Sequence, residues 1–219
     1  MSDDLQITSQ QTLHNGFARL ELFRLRHRLY SGGWSAEMER EVFERRRTVG
    51  VLLYDPRRDE VVLIEQFRLP PHLAGFPAWE LEVVAGIVDH DGESEQDLAR
   101  REAREEAGIE IIGELIPIHR YMPSPGACTE RVDLLCGLVD AAGAGGVHGL
   151  AQEHEDIKVV VLSYREAMRR LRADEIVNGL AVLALYWLAA RRPALRRASR
   201  PQRKASPRRS RAGSRTPPR

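Results

Sequence analysis

The sequence predicts an α+β fold, with strands and helices mixed and no strict strand–helix–strand repeat. Three observations carry this. Short apolar or alternating runs, bounded by Gly, Pro and Asp, recur from residue 17 to residue 139. A fully capped helix interrupts them at 94–107. Two further helical stretches close the apolar part of the chain at 164–190. At 219 residues and 42% hydrophobic composition, the chain is long enough to bury a core.

Residues 17–30, F-A-R-L-E-L-F-R-L-R-H-R-L-Y, alternate apolar and polar positions and read as a strand. Ser31-Gly32-Gly33 marks a turn, and residues 34–47 resume extended structure. The apolar run 48–54 reads as a buried strand, and Asp55-Pro56 opens a turn. Residues 60–68 form the next strand, stopped by Pro70-Pro71. Residues 79–85 form another, ending at Gly86. Ser94 caps the clearest helix, its first turn is acidic, and Gly108 stands where a helix-ending glycine belongs. Strands over 109–122 and 131–139 flank the loop P-S-P-G-A-C-T-E. A Gly-rich and then acidic loop covers 141–156. A strand over 158–162 and helices over 164–172 and 176–190 complete the pattern.

Composition narrows the setting. No apolar run is long enough to span a bilayer. The polar, acidic start M-S-D-D-L-Q-I-T-S-Q does not resemble a targeting peptide. Two cysteines, Cys128 and Cys136, read as reduced thiols. A cytoplasmic protein without membrane contact is expected. The net charge of +1 conceals an asymmetry: residues 191–219 hold 12 Lys+Arg and no acid, which leaves 21 of the 33 basic residues against all 32 acidic ones, a net of −11 for the body. The segment 194–219 is low-complexity and nearly free of large apolar residues, and is expected to be a disordered basic tail. It is either a solvated extension or an arm making weak nonspecific contact with nucleic acid.

The helix poses the chemical question. In R-R-E-A-R-E-E-A-G-I, residues 100–109, Glu102 and Glu106 stand four apart on one helix face, and Glu105 flanks it. Like charges at this spacing repel unless compensated. Neighbouring arginines can do this, as on any solvated charged helix; so can a hard divalent cation, which takes oxygen ligands and often phosphate oxygens as well. Spacing alone favours the first.

The flanks reverse that preference. Residues 86–109, G-I-V-D-H-D-G-E-S-E-Q-D-L-A-R-R-E-A-R-E-E-A-G-I, resemble the Nudix box: Glu93, seven residues, Arg101-Glu102, an apolar residue, Glu105-Glu106, Gly108 and an apolar residue. One departure is that six residues, not five, separate Gly86 from Glu93. The resemblance implies a Nudix fold, a mixed β-sheet sandwiched between helices, and cleavage of a nucleoside diphosphate linked to another group with Mg²⁺ or Mn²⁺. It implies Glu102 and Glu106 as metal ligands, with the Ala85 carbonyl. Glu105 would assist them, Arg101 would orient a glutamate through a paired hydrogen bond, and Glu93 would be structural.

Four further stretches resemble the ADP-ribose pyrophosphatase group: residues 42–56, 59–68, 124–131 (S-P-G-A-C-T-E-R) and 148–159 (H-G-L-A-Q-E-H-E-D-I-K-V). Pro125, 16 residues past the box, is a mark of that group. The resemblance implies Glu153 as general base and Glu155 as a metal ligand. It implies Arg45, Arg68 and Glu82 as substrate contacts, with Ser124, Pro125 and Gly126 shaping the pocket. Phe23 or Trp34 would stack on adenine. It further implies a homodimer whose N-terminal β region, residues 1–45, is exchanged between protomers, with a catalytic domain over 46–193. The expected reaction is hydrolysis of ADP-ribose to AMP and ribose 5-phosphate. The alternatives are hydrolysis of GDP-mannose or another nucleotide sugar, and a non-catalytic module that binds ADP-ribose or RNA.

Overall fold

A computed structural model describes residues 3–88 and 92–199. Three strands come first: β1 (Leu5–Asn15), β2 (Arg19–His27) and β3 (Met38–Glu44). They form a separate antiparallel sheet in that order. The second sheet contains β4 (Thr48–Asp55), β5 (Glu60–Phe67), β8 (Ile112–Tyr121), β9 (Val132–Leu138), β10 (Val147–His148) and β11 (Ile157–Ser163). Its order is β10-β11-β5-β4-β9-β8. Strand β6 (Trp79–Glu82) pairs with β5, and β7 (Val84–Ile87) pairs with β4. The β4–β9 pair is parallel and the others are antiparallel, so the sheet is mixed.

Strand β4, T-V-G-V-L-L-Y-D, is apolar on both faces because both faces are covered. Val49, Val51 and Leu53 pack with Leu98, Ala99 and Ala103 of α2 (Glu95–Ala107). Leu52 and Tyr54 pack on the other side with α3 (Tyr164–Arg172) and α4 (Gly179–Ala198), through Met168, Leu185 and Leu188. Each such fully buried aliphatic side chain contributes about 1.5–3 kcal/mol. Alanines along the inner face of α2 let it lie close to the sheet. Gly50 does the same for α4: a Cβ there would lie 2.8 Å from Leu180 Cδ2.

The α+β expectation holds, and helices sandwich the mixed sheet. Several boundaries shift. The N-terminal region begins earlier than the alternation at 17–30 indicates, because β1 is already a strand. It is exposed throughout and defined by its ladder to β2. The strand expected over 79–85 is two strands, β6 and β7, on different partners. After β5 the Pro70-Pro71 pair does stop the strand, and it starts a one-turn helix, α1 (Leu69–Leu73). Disorder expected from residue 194 does not hold for 194–198. The last helix runs through Pro193 to Ala198, because Arg192 and Arg196 both pair with Asp59. The rest of the basic tail, from residue 200, lies outside the described residues.

Candidate active site

Helix α2 is built by local signals. Ser94 Oγ accepts from Asp97 N–H at 3.1 Å, and Gly108 ends the helix at φ 61°, a conformation a glycine adopts without strain. The helix then presents its carboxylates to β7. Glu106 is 3% exposed, and its Oε2 accepts from the Ala85 N–H at 3.1 Å. Glu102 packs over Gly86 so closely that a Cβ there would lie 2.3 Å from Glu102 Oε1. Glycine here leaves the space that the Glu102 side chain occupies.

Arg101 gathers the remaining carboxylates. Its guanidinium donates to both oxygens of Glu93, at 3.0 and 3.3 Å. It also lies 2.9 Å from Glu102 and 3.0 Å from Glu105. The expected paired hydrogen bond therefore falls on Glu93. This ties the helix to the loop before it, even though that loop carries one residue more than the box pattern. Its residues 89–91 lie outside the described residues.

Burial pushes the Glu106 carboxyl well above the usual carboxylate range. The Ala85 N–H opposes this, the charges of Glu102 and Glu155 add to it, and Arg68 opposes it. Glu155 therefore belongs to the same charge cluster, and its loop is docked on α2. Gly149 N–H donates to the Glu105 carbonyl at 3.3 Å, and Leu150 N–H donates to Glu155 Oε2 at 3.1 Å. Gly149 sits at φ 98°, where a Cβ would also lie 2.7 Å from Glu155 Cβ. Glu153 lies in a short 3₁₀ turn, Ala151–Glu153, two residues before Glu155. Its side chain lies outside the described part of the structure.

Arg68 follows β5 and meets Glu82 on β6 in a two-point pair, at 3.0 and 2.9 Å. Gln66 Nε2 donates to Glu82 Oε2 at 3.2 Å. Thus Ala85, Glu102, Glu105, Glu106, Glu155, Arg68 and Glu82 share one region, with Arg101 behind it. The other candidates stand apart within this chain. Ser124, Pro125 and Gly126 form an exposed turn stitched to β3, where Phe43 N–H donates to the Ala127 carbonyl at 2.8 Å. Arg45 lies over the rings of Phe17 and Phe43, at 5.6 and 6.0 Å. Trp34 is covered by Arg28 and Arg26, at 4.4 and 5.2 Å, and Phe23 lies within β2.

Oxygen donors held this way suit a hard divalent cation. Glu106 is buried among like charges, and among the described residues one backbone N–H bonds it. A cation would relieve that excess. Among the described residues no three His, Cys, Asp or Glu side chains already stand as a metal centre, and Glu102 and Glu105 lie on Arg101 instead. Sequence reasoning missed Gln66 and Glu80. The alternation in W-E-L-E, residues 79–82, was the available signal that Glu80 shares the face of Glu82.

A NUDIX domain model matches residues 44–180. An ADP-ribose pyrophosphatase of Escherichia coli (strain K12) is 45% identical over 194 residues, covering 89% of this chain and 92% of the relative. One from Haemophilus influenzae is 41% identical over 189 residues, 84% of this chain and 86% of the relative. A GDP-mannose pyrophosphatase of Shigella flexneri is 34% identical over 154 residues, 68% of this chain and 77% of that one. Among solved structures, an ADP compounds hydrolase superposes with a TM-score of 0.63 at 20% identity, covering 86% of this chain and 96% of that one. It shares the fold.

Proposed function

The chain belongs to the Nudix family, and we propose on that basis that it hydrolyses ADP-ribose to AMP and ribose 5-phosphate. The observation that carries the reaction class is Glu106, buried beside Glu102 and Glu155 with, among the described residues, a single backbone donor. The substrate reading is supported by relatives named ADP-ribose pyrophosphatase that match most of this chain. The GDP-mannose pyrophosphatases match less of it, at lower identity.

Glu102, Glu106, Glu155 and the Ala85 carbonyl would hold Mg²⁺ or Mn²⁺. Bound there, a divalent cation neutralises the diphosphate and activates water for attack on phosphorus. The remaining work belongs to the chain. Arg101 fixes Glu102 and Glu105 against the loop through Glu93. Arg68, with its guanidinium ordered by Glu82, offers donors toward phosphate oxygens. Glu153 takes the proton of the attacking water, and the 149–155 loop that carries it is anchored on α2. Ser124, Pro125 and Gly126 shape the sugar side of the pocket.

The same reading includes a homodimer in the cytoplasm. Leu5, Ile7 and Leu13 of β1 are exposed, and Phe17 is 91% exposed; such surface needs a cover. A second copy seated there would bring Arg45, and Phe23 or Trp34, toward the partner's site. Among the described residues no helix is long and apolar enough to cross a membrane. The tail beyond residue 200 adds weak contact with nucleic acid.

The test is hydrolysis of ADP-ribose, GDP-mannose, ADP-glucose and NADH with Mg²⁺ and with chelator. Preferred, cation-dependent release of AMP from ADP-ribose supports the reading. Preferred turnover of GDP-mannose would overturn the substrate, and no turnover would favour a binding module.

A further inference from the structure

Glu80 has no role in the reaction as described, yet the residue is only 4% exposed. Among the described residues it makes no hydrogen bond or ion pair. Its oxygens are not fully sealed from solvent, but a carboxylate so largely buried without a partner still costs stability, and an aliphatic side chain of similar size would fill the position without that penalty.

Its direction is fixed by register. Glu80 stands opposite Gln66 and Glu82 opposite Ile64 on the β5–β6 ladder. Alternation puts all four on one face of the sheet, the face whose core Ile64 shares with α2. Glu82 is already held by Gln66 and Arg68 on that face. Burial, and then the charge of Glu82, push the Glu80 carboxyl above its ordinary range. The two carboxylates are thus neighbours, and the hydrogen bonds from Arg68 go to Glu82.

A largely buried acceptor with no donor among the described residues, beside a second carboxylate, calls for one. On a nucleoside diphosphate sugar the phosphates have the wrong sign, whereas a ribose offers adjacent hydroxyls, which a carboxylate accepts well. We propose that Glu80, together with Glu82, takes the hydroxyl donors of one ribose of the substrate and is a specificity-determining residue of this site. The inference rests on the ADP-ribose reading. It explains why the carboxylate is retained against folding: Glu80→Leu stabilises the protein and weakens substrate selection together.

The experiment compares full-length wild type, Glu80→Leu and Glu80→Gln. kcat and KM are measured for ADP-ribose and for two monodeoxy analogues, one lacking the 2-hydroxyl of the terminal ribose and one that of the adenosine ribose. Wild type is expected to favour ADP-ribose over one analogue by about 10-fold in kcat/KM. Glu80→Leu erases that preference through KM, with saturated turnover kept, and Glu80→Gln falls between. Tm of Glu80→Leu rises by roughly 2–4 °C. Equal losses on all three substrates, or an unchanged preference, would overturn the proposal. So would a lower Tm with weaker self-association in Glu80→Leu, which would mean that the carboxylate serves a subunit contact. Failure of wild type to turn over ADP-ribose at all would overturn the substrate reading itself, before any variant is compared.

Discussion

Two charge clusters in this protein are near mirror images. Around Arg101, one guanidinium faces three glutamates, Glu93, Glu102 and Glu105. Around Asp59, one carboxylate faces two guanidinia, Arg192 and Arg196, with Tyr54 donating its hydroxyl to the same carboxylate at 2.8 Å. The first lies beside the buried Glu106 and, among the described residues, has more acid than base. The second joins the β4–β5 turn to the end of α4, and every acidic oxygen in it has a donor. An unbalanced cluster is poised to take something up; a balanced one holds elements together. The same residue types therefore predict function in one place and stability in the other.

The largest expected effect follows from removing an acid on the unbalanced side. Glu106→Gln and Glu153→Gln should each fold normally and lose turnover by on the order of 10²-fold or more. Steady-state kinetics beside circular dichroism would check this, and near-wild-type turnover in both would remove the site assignment. A smaller effect is expected when the fork is removed but the charge kept. Arg101→Lys retains one positive charge but cannot bridge Glu93 and the helix glutamates, so activity should fall by about 10-fold and the cation requirement should rise. A cation titration of the rate separates this from a loss of fold.

The balanced cluster should behave in the opposite way. Asp59 sits at φ 64°, which Asn tolerates, so Asp59→Asn tests the charge with little backbone strain. We expect unchanged kcat/KM and a stability loss of about 1–2 kcal/mol, a fall in Tm of roughly 2–8 °C. The pH dependence has a definite sign. The hydrogen bond from Arg192 holds the Asp59 carboxyl below its ordinary value of 3.8. Its contribution is thus fully present above that value and is lost as pH falls through the depressed folded-state value. The gap between wild type and Asp59→Asn, read from urea unfolding, should be wide at neutral pH and close in acid. A gap that widened in acid would refute the assignment.

The two clusters also differ in how far the sequence betrayed them. Helix α2 was legible to its ends because its signals are local: the Ser94 cap, Gly108, and glutamates three and four residues apart. The Arg101–Glu93 pair spans only eight residues. The Asp59 cluster joins residues 133 positions apart, so Arg192 and Arg196 looked like the start of a basic tail, and the last turns of α4 were lost with them. Strand β1 falls inside the β region expected over residues 1–45, but its own bounds were not legible, because its alternation is sparse and the ladder to β2 sets them. Glu80 was passed over because its meaning depends on standing opposite Gln66, a register set by tertiary pairing.

The central claim is that the α2 face is short of positive charge and takes up a divalent cation. Calorimetric titration of Mg²⁺ and Mn²⁺ into the full-length protein, without substrate, tests it most directly. Wild type should bind, Glu106→Gln should bind at least about 10-fold more weakly, and Asp59→Asn should match wild type. Equal binding by wild type and Glu106→Gln would contradict the account.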